Sequence, residues 1–246
     1  MGWPPWVFRW TETPVVHKDA PAGPVWAVVP AKDLGQAKSR LAPLLSPGQR
    51  ERLMLGLLRG TMAALAGAPS LAGWLVVSRD ARLLDLGSRF GALALREEGN
   101  NLNAALRQAQ QVAVAHEAAA LLVVPGDLPL VTAAAVEALL AARPLVGPSA
   151  LLAPARDGRG TNALLLSPPG ALEFAFGEDS APRHRAAARS AGLPMALHEA
   201  AEFALDLDTP ADLEAVARLQ GQWMQWAEDA TPPRRPGLWS LAGLAG

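Results

Sequence analysis

Short apolar runs alternate with longer segments of helical period through the middle of the chain. Trp26-Ala-Val-Val-Pro30, Trp74-Leu-Val-Val-Ser78 and Leu121-Leu-Val-Val-Pro125 are apolar on both sides of the strand alternation, as expected of strands buried on both faces. Ala92 to Leu95 is a shorter run of the same kind. Between them, Ser46-Pro47-Gly48-Gln49 predicts a helix start, with a hydroxyl cap, proline at the first helical position and glutamine three residues on. That helix should reach about Leu65. Further helices are predicted near Ala81 to Phe90, closed by Gly91, and from about Asn101 to Ala115, with Thr132 capping another. From Leu151 the pattern changes: Leu151 to Pro154, the turn Asp157-Gly158, and Thr161 to Leu166 read as a hairpin added to the sheet. A helix near Ala181 to Ala191 ends at Gly192, a late strand reaches Ala204-Leu205, and Thr209-Pro210-Ala-Asp212 caps a final helix.

This alternation predicts an α/β fold: a mostly parallel central sheet with helices on both faces and an added β-hairpin region. Sheets of this kind bind ligands beyond the carboxyl ends of their strands. The loops after Pro30, Ser78, Leu95 and Pro125 should therefore share one rim. The two ends read differently. Residues 1–24 form an irregular arm broken by Pro4, Pro5, Pro14, Pro21 and Pro24, and residues 221–246 a similar tail. Together the ends hold Trp3, Trp6, Trp10, Trp223, Trp226 and Trp239, expected to dock on the body or on another subunit, so a homodimer is compatible with the sequence. Residues 25–220 are expected to form one domain.

Half of the 246 residues are hydrophobic and 18% are charged, ample for a sizeable core and too apolar for a disordered chain. The net charge of −1 gives no basic excess with which to hold nucleic acid or an anionic membrane. There is no cysteine, which excludes disulfides, thiolate zinc sites and cysteine nucleophiles. Met1 to Trp10 makes a poor signal peptide, and no apolar stretch approaches the roughly 18 residues of a spanning helix. A cytoplasmic protein is expected.

Four clusters could carry chemistry. Lys32, Lys38 and Arg40 follow the first strand directly and could neutralise a triphosphate, Arg as a bidentate fork and Lys as point charges. The Walker pattern is missing from that loop. Pro125-Gly126-Asp127-Leu128-Pro129 follows the fourth strand and puts a carboxylate where magnesium could be held with phosphate oxygens. In Leu205-Asp206-Leu207-Asp208 the acidic residues are two apart, so in extended chain they share a face, and two like charges so close favour a cation between them. Arg159-Gly160-Thr161-Asn162 and Phe176-Gly177-Glu178-Asp179-Ser180 offer backbone N–H groups and hydroxyls to an anion. Each cluster alone also fits a plainer role as solvated loop, turn aspartate or helix cap. His17, His116, His184 and His198 lack metal-ligand spacing.

Taken together, the segments resemble the guanylyltransferases that activate 2-phospho-L-lactate or phosphoenolpyruvate in the synthesis of coenzyme F(420). The resemblance runs over roughly residues 25 to 219. It rests on Val29-Pro-Ala-Lys32 with Ala37-Lys-Ser-Arg-Leu41, Val77-Ser-Arg-Asp80, Glu98-Gly99 with Leu102-Asn103, and Gly126-Asp-Leu-Pro129. It continues through Gly160-Thr-Asn-Ala-Leu164, Phe174-Ala-Phe-Gly177 with Ser180 and His184, and Leu205-Asp-Leu-Asp-Thr-Pro-Ala-Asp-Leu213.

The resemblance implies a nucleotidyltransferase of the glycosyltransferase-A type, Rossmann-like in its layering, with GTP as donor and magnesium (or manganese) as cofactor. It implies that Asp127, Asp206 and Asp208 hold the metal, and that Lys32, Lys38 and Arg40 face the triphosphate. It further implies that Gly99 and Asn103 line the base pocket, and that Thr161, Gly177 and Ser180 hold the phosphorylated acceptor. The three aspartates and Lys38 would be the catalytic set. The acceptor is expected to be phosphoenolpyruvate, with 2-phospho-L-lactate and 3-phosphoglycerate as close competitors, and pyrophosphate the leaving group. Two other readings stand beside this one. A molybdenum-cofactor guanylyltransferase or sugar-nucleotide transferase of the same fold usually opens with a glycine-rich loop, where Ala31-Lys-Asp-Leu-Gly35 stands here. A non-catalytic nucleotide-binding scaffold is the alternative of another class.

Overall fold

The computed structural model describes residues 23–32, 34, 38–144 and 147–219. The proposed arms therefore fall outside the described residues, apart from Gly23 and Pro24, and so do their six tryptophans.

Seven strands form one sheet: β1 (Val25–Pro30), β2 (Leu71–Ser78), β3 (Leu93–Arg96), β4 (Ala120–Val123), β5 (Ser149–Pro154), β6 (Thr161–Ser167) and β7 (Met195–Leu197). Their order across the sheet is β3-β2-β1-β4-β6-β5-β7. β6 runs antiparallel to both β4 and β5, while the other neighbouring pairs are parallel. The expected hairpin is thus β5–β6, and it is built into the sheet rather than hung on its edge. Because β6 is reversed, its first residues share a rim with the carboxyl ends of β1, β2 and β4. The chain moves outward from β1 to β2 and β3, then returns to the other side of β1 as β4. This reversal opens the crevice in which doubly wound sheets bind ligands.

Helices cover both faces. α1 (Pro47–Ala66), α2 (Ala81–Arg89) and α4 (Ala133–Ala141) pack on one side around Val29, Val76, Leu122 and Leu165. α3 (Leu102–Ala115) and α5 (Ser180–Ser190) pack on the other around Val28, Leu75, Leu121 and Leu164. Successive strand residues therefore feed opposite cores, as continuous apolar runs require. The Ser46–Gln49 capping box forms in full, and Thr132 caps α4 through the Ala135 amide.

The late strand near Ala204-Leu205 does not form. Ala201–Ala204 is one helical turn, α6, and α7 (Pro210–Leu219) follows a short extended link. That link makes single backbone bonds, Arg156 N–H to the Ala204 carbonyl and Leu207 N–H to the Asp127 carbonyl, instead of a ladder. The strand actually present there, β7, is only three residues long and carries no run that would announce it.

Candidate active site

The acidic pair is placed by alternation. Leu205 and Leu207 turn into a small third core with Leu41, Leu53, Leu57 and Val216, so Asp206 and Asp208 face the other way. Leu41 belongs to the same core and closes the short turn Ser39–Leu41 that follows Lys38. One apolar cluster thus anchors both the acidic segment and the cationic one.

Asp127 is carried by the turn after β4. A side chain at Gly126 would place its Cβ 2.2 Å from Leu58 Cδ2, and Leu58 is fully buried. Only glycine lets this turn lie so tightly on α1. The Asp127 carbonyl then accepts from Leu207 N–H at 3.1 Å, tying the two acidic segments together.

Lys38 completes the centre. Its Nζ donates to Asp127 Oδ2 at 2.7 Å and to Asp208 Oδ1 at 3.5 Å, while Arg40 Nη1 donates to Asp208 Oδ2 at 2.8 Å. The Lys38 side chain is 5% exposed and that of Arg40 is 72% exposed, so only the first is a buried ion pair. Burial alone would lower the Lys38 pKa, but the charges and hydrogen bonds of Asp127 and Asp208 outweigh it and hold it above the ordinary value. Asp206 goes the opposite way to most paired carboxylates. Burial and the neighbouring Asp127 charge raise its pKa, and the Asn162 hydrogen bond and Lys38 offset this only in part. Lys38 also adopts a left-handed backbone (φ 55°), as does Asp179 (φ 51°) before α5, conformations that cost energy outside glycine and asparagine.

At the start of β6 the register slips by one against β5. Ala153 pairs with Ala163 but Pro154 pairs with Thr161, leaving Asn162 as an extra residue. Such a bulge re-aims side chains. Without it, Thr161 would face with Ala163 and Leu165. With it, Thr161 Oγ1 meets His184 Nδ1 at 3.1 Å on the opposite side, and Asn162 Nδ2 donates to the Phe203 carbonyl at 2.8 Å and to Asp206 Oδ1 at 3.3 Å. Neighbouring residues of one strand thereby link the acidic centre to the segment at α5. Ser180 begins α5 and is buried, and Gly177 has φ +125°, open to glycine but not comfortably to other residues.

The remaining expected residues lie further out. Lys32 is exposed on the rim after β1. Gly99 packs against Ala104, and its carbonyl accepts from Arg79 Nη2. Asn103 has both amide atoms engaged: Nδ2 donates to the Phe176 carbonyl at 3.0 Å, and Oδ1 accepts from Phe176 N–H at 2.9 Å. Its described bonds go to the Phe174–Gly177 segment. The sequence places Asn162 in the Arg159–Asn162 cluster and His184 among the resembling residues without giving either a role; the bulge sets Asn162 against Asp206 and Thr161 against His184.

Among the described residues, no group of three or more acidic or histidine side chains stands in the arrangement of a ready metal site. The donor set still suits a hard divalent ion, which takes one or two carboxylates and fills its shell with phosphate oxygens and water. All candidate donors are oxygens, and Asp206 beside Asp127 carries negative charge that the protein offsets only partly.

The family described as "Guanylyl transferase CofC like" matches residues 25–222. A phosphoenolpyruvate guanylyltransferase of Sphaerobacter thermophilus is 46% identical over 191 residues, 78% of this chain and 91% of that protein. A 3-phospho-D-glycerate guanylyltransferase of Colwellia psychrerythraea is 35% identical over 193 residues, 78% of this chain and 90% of that protein. Among solved structures, a putative nucleotide-diphospho-sugar transferase of Desulfovibrio desulfuricans superimposes with a TM-score of 0.64 at 19% identity, covering 79% of this chain and 87% of that one. At that identity the likeness speaks for the fold alone, a mixed α/β sheet of the nucleotidyltransferase kind. With sequence matched over nearly the whole described sheet, the chain belongs to the CofC-like guanylyl transferase family.

Proposed function

We propose that this enzyme transfers GMP from GTP to the phosphate of phosphoenolpyruvate and releases pyrophosphate. The observation that carries this is the linkage made by β6: Asn162 reaches Asp206 in the acidic centre while its neighbour Thr161 turns toward the α5 segment. A donor held at the carboxylates and an acceptor held at Thr161, Gly177 and Ser180 would then meet at one rim.

An acceptor phosphate is already anionic near neutral pH, its second pKa being about 6. No general base is required. An acceptor oxygen forms a bond to the α-phosphorus as the bond to the β-phosphate oxygen breaks, and the pair of electrons leaves with pyrophosphate. The work of the protein is to bring two anions together in line. Lys38 and Arg40 supply positive charge on the triphosphate side, with Lys32 on the rim beside them. Thr161, Ser180 and the amides near Gly177 supply donors on the acceptor side. Magnesium, or manganese, held by Asp127, Asp206 and Asp208 would neutralise the charge shared between the triphosphate and the departing pyrophosphate.

The 46% identity to two phosphoenolpyruvate guanylyltransferases supports the acceptor chosen. On this reading the product feeds coenzyme F(420) synthesis in the cytoplasm, where GTP is at hand. Among the described residues no helix is long and apolar enough to cross a membrane, and the reaction asks for neither membrane nor nucleic acid. GTP should be supplied with phosphoenolpyruvate, 2-phospho-L-lactate and 3-phosphoglycerate separately, and the products weighed by mass spectrometry. A guanosine diphosphate-bridged product from phosphoenolpyruvate at the highest kcat/KM is expected. Preference for another acid would overturn the acceptor, and no pyrophosphate with any of them would overturn the activity.

A further inference from the structure

His184 is fully buried, at 0% exposure, and its ring bonds to Thr161 and to the Ala175 backbone, both beside the proposed acceptor residues. Its Nε2 lies 2.9 Å from the backbone nitrogen of Ala175. A backbone N–H can only donate, so Nε2 must be bare and the ring proton must sit on Nδ1. Nδ1 in turn lies 3.1 Å from Thr161 Oγ1, and the ring also makes a hydrogen bond to the Ser180 backbone. With its one proton on Nδ1, shared between the Ser180 carbonyl and Thr161 Oγ1, the ring has no lone pair there, so the Thr161 hydroxyl can accept from the ring but cannot donate to it. Its own hydrogen is turned elsewhere.

We infer that His184 is a positioning residue, which fixes the Thr161 hydroxyl as a hydrogen-bond donor to the anionic acceptor. The inference rests on the acceptor role proposed above for Thr161. With the other tautomer, Thr161 would donate to the ring and present lone pairs to the incoming anion. The same histidine holds the segment that delivers Gly177. Ala175 N–H is bound to its ring, the Phe176 ring packs edge-on against it at 4.9 Å, and Asn103 grips the Phe176 backbone from the other side. The surroundings also disfavour a charged ring: burial and the nearby Arg183 draw the His184 pKa down to about 4.

Two variants separate the ring's two nitrogens. In His184→Asn the side-chain amide reaches the place of Nδ1 and can still donate to Thr161. In His184→Gln it reaches the place of Nε2 and can still accept from Ala175. His184→Gln should raise KM for the acceptor roughly tenfold or more, the scale of a hydrogen bond to a charged group, with KM for GTP unchanged. His184→Asn keeps the donor to Thr161 but leaves Ala175 N–H without its ring partner, so its acceptor KM should rise less than that of His184→Gln, and an equal or larger rise would overturn the proposal. In a Thr161→Val background, His184→Gln should add little further. An unchanged acceptor KM in His184→Gln, an equal rise for GTP, or full additivity with Thr161→Val would overturn the proposal. Thermal unfolding of each variant shows that it is folded before its KM is read. Long-range proton–nitrogen NMR of the parent tests the tautomer without catalysis: Nδ1 protonated and Nε2 bare is expected, and the reverse would sink the inference. If the parent uses none of the three acceptors, the proposed function fails, and this spectrum still decides the arrangement of His184 and Thr161.

Discussion

Lys38 Nζ sits 2.7 Å from Asp127 Oδ2, although 89 residues separate the two in sequence. The contact exists because β1 and β4 are neighbours, so the loop leaving one opens onto the loop leaving the other. A buried ammonium so placed balances Asp127 and part of Asp208, and on the proposed function it is also the nearest cation to the triphosphate. Removing it leaves two carboxylates facing each other and the nucleotide. Lys38→Met should therefore raise KM for GTP by roughly tenfold or more, the scale of a lost charge-assisted hydrogen bond. It should also cost about 1–3 kcal/mol of stability, below the value for a wholly buried pair because both aspartates keep some contact with water. Steady-state kinetics in GTP and denaturant unfolding check both, and an unchanged KM with unchanged kcat would remove Lys38 from the site.

Asp206 is a cost to the folded chain. It is partly buried, close to Asp127, and incompletely offset by Asn162 and Lys38. Asp206→Asn should raise the thermal midpoint of the protein without nucleotide or metal by about 2–4 °C, equivalent to about 1 kcal/mol at this size. Turnover should fall in the same variant. A lower midpoint would mean that Asp206 is already well compensated, and would weaken the case that the protein keeps it for a cation.

Gly126 sets where Asp127 stands. Gly126→Ala forces a methyl into Leu58, and overpacking of this kind costs about 1–3 kcal/mol. The turn should shift away from α1 and carry Asp127 with it, so activity should fall more than stability does. Leu58→Ala made together with it opens the space, and part of the activity should return. Calorimetry alongside pyrophosphate release measures both effects, and a fully active, fully stable Gly126→Ala would refute the packing argument.

Local chemistry made much of this legible beforehand. The capping box at Ser46 and Gln49 depends on residues three apart, and the Leu-Asp-Leu-Asp alternation at 205–208 depends on period two, so both could be read directly. The shared rim followed from parallel strands, and Gly126 and Asp127 from a turn beside a strand. What stayed hidden depended on pairing across the chain. The slip that frees Asn162 is defined by β5 against β6 and leaves no mark in the Gly-Thr-Asn triplet. The link between Asn103 and Phe176 spans 73 residues, so neither local pattern nor the resemblance, which implied a base pocket for Asn103, could foresee this bond. β7 is too short to show a period, and its place at the sheet edge is set by β5.

The pH dependence of stability follows from His184. Its folded pKa is about 4 against 6.5 unperturbed, lowered first by burial and then by Arg183. Between those values the unfolded chain takes up a proton that the folded ring refuses. Stability should therefore decline as pH falls from 6.5 toward about 4, and His184 should make no contribution above that window. His184→Asn should show a shallower acid slope in denaturant unfolding across this range. An identical slope would mean that the ring titrates freely in the folded protein.

The central claim is that Asp127 and Asp208, brought together with Asp206 around Lys38, run the transfer. Its most direct test is pyrophosphate release from GTP and phosphoenolpyruvate at saturating concentrations, in the parent and in Asp127→Asn and Asp208→Asn. Both variants should remain folded and lose roughly 10²-fold or more in turnover, the scale seen when one key electrostatic group is removed from an active site. Turnover close to the parent's in both variants would contradict the account.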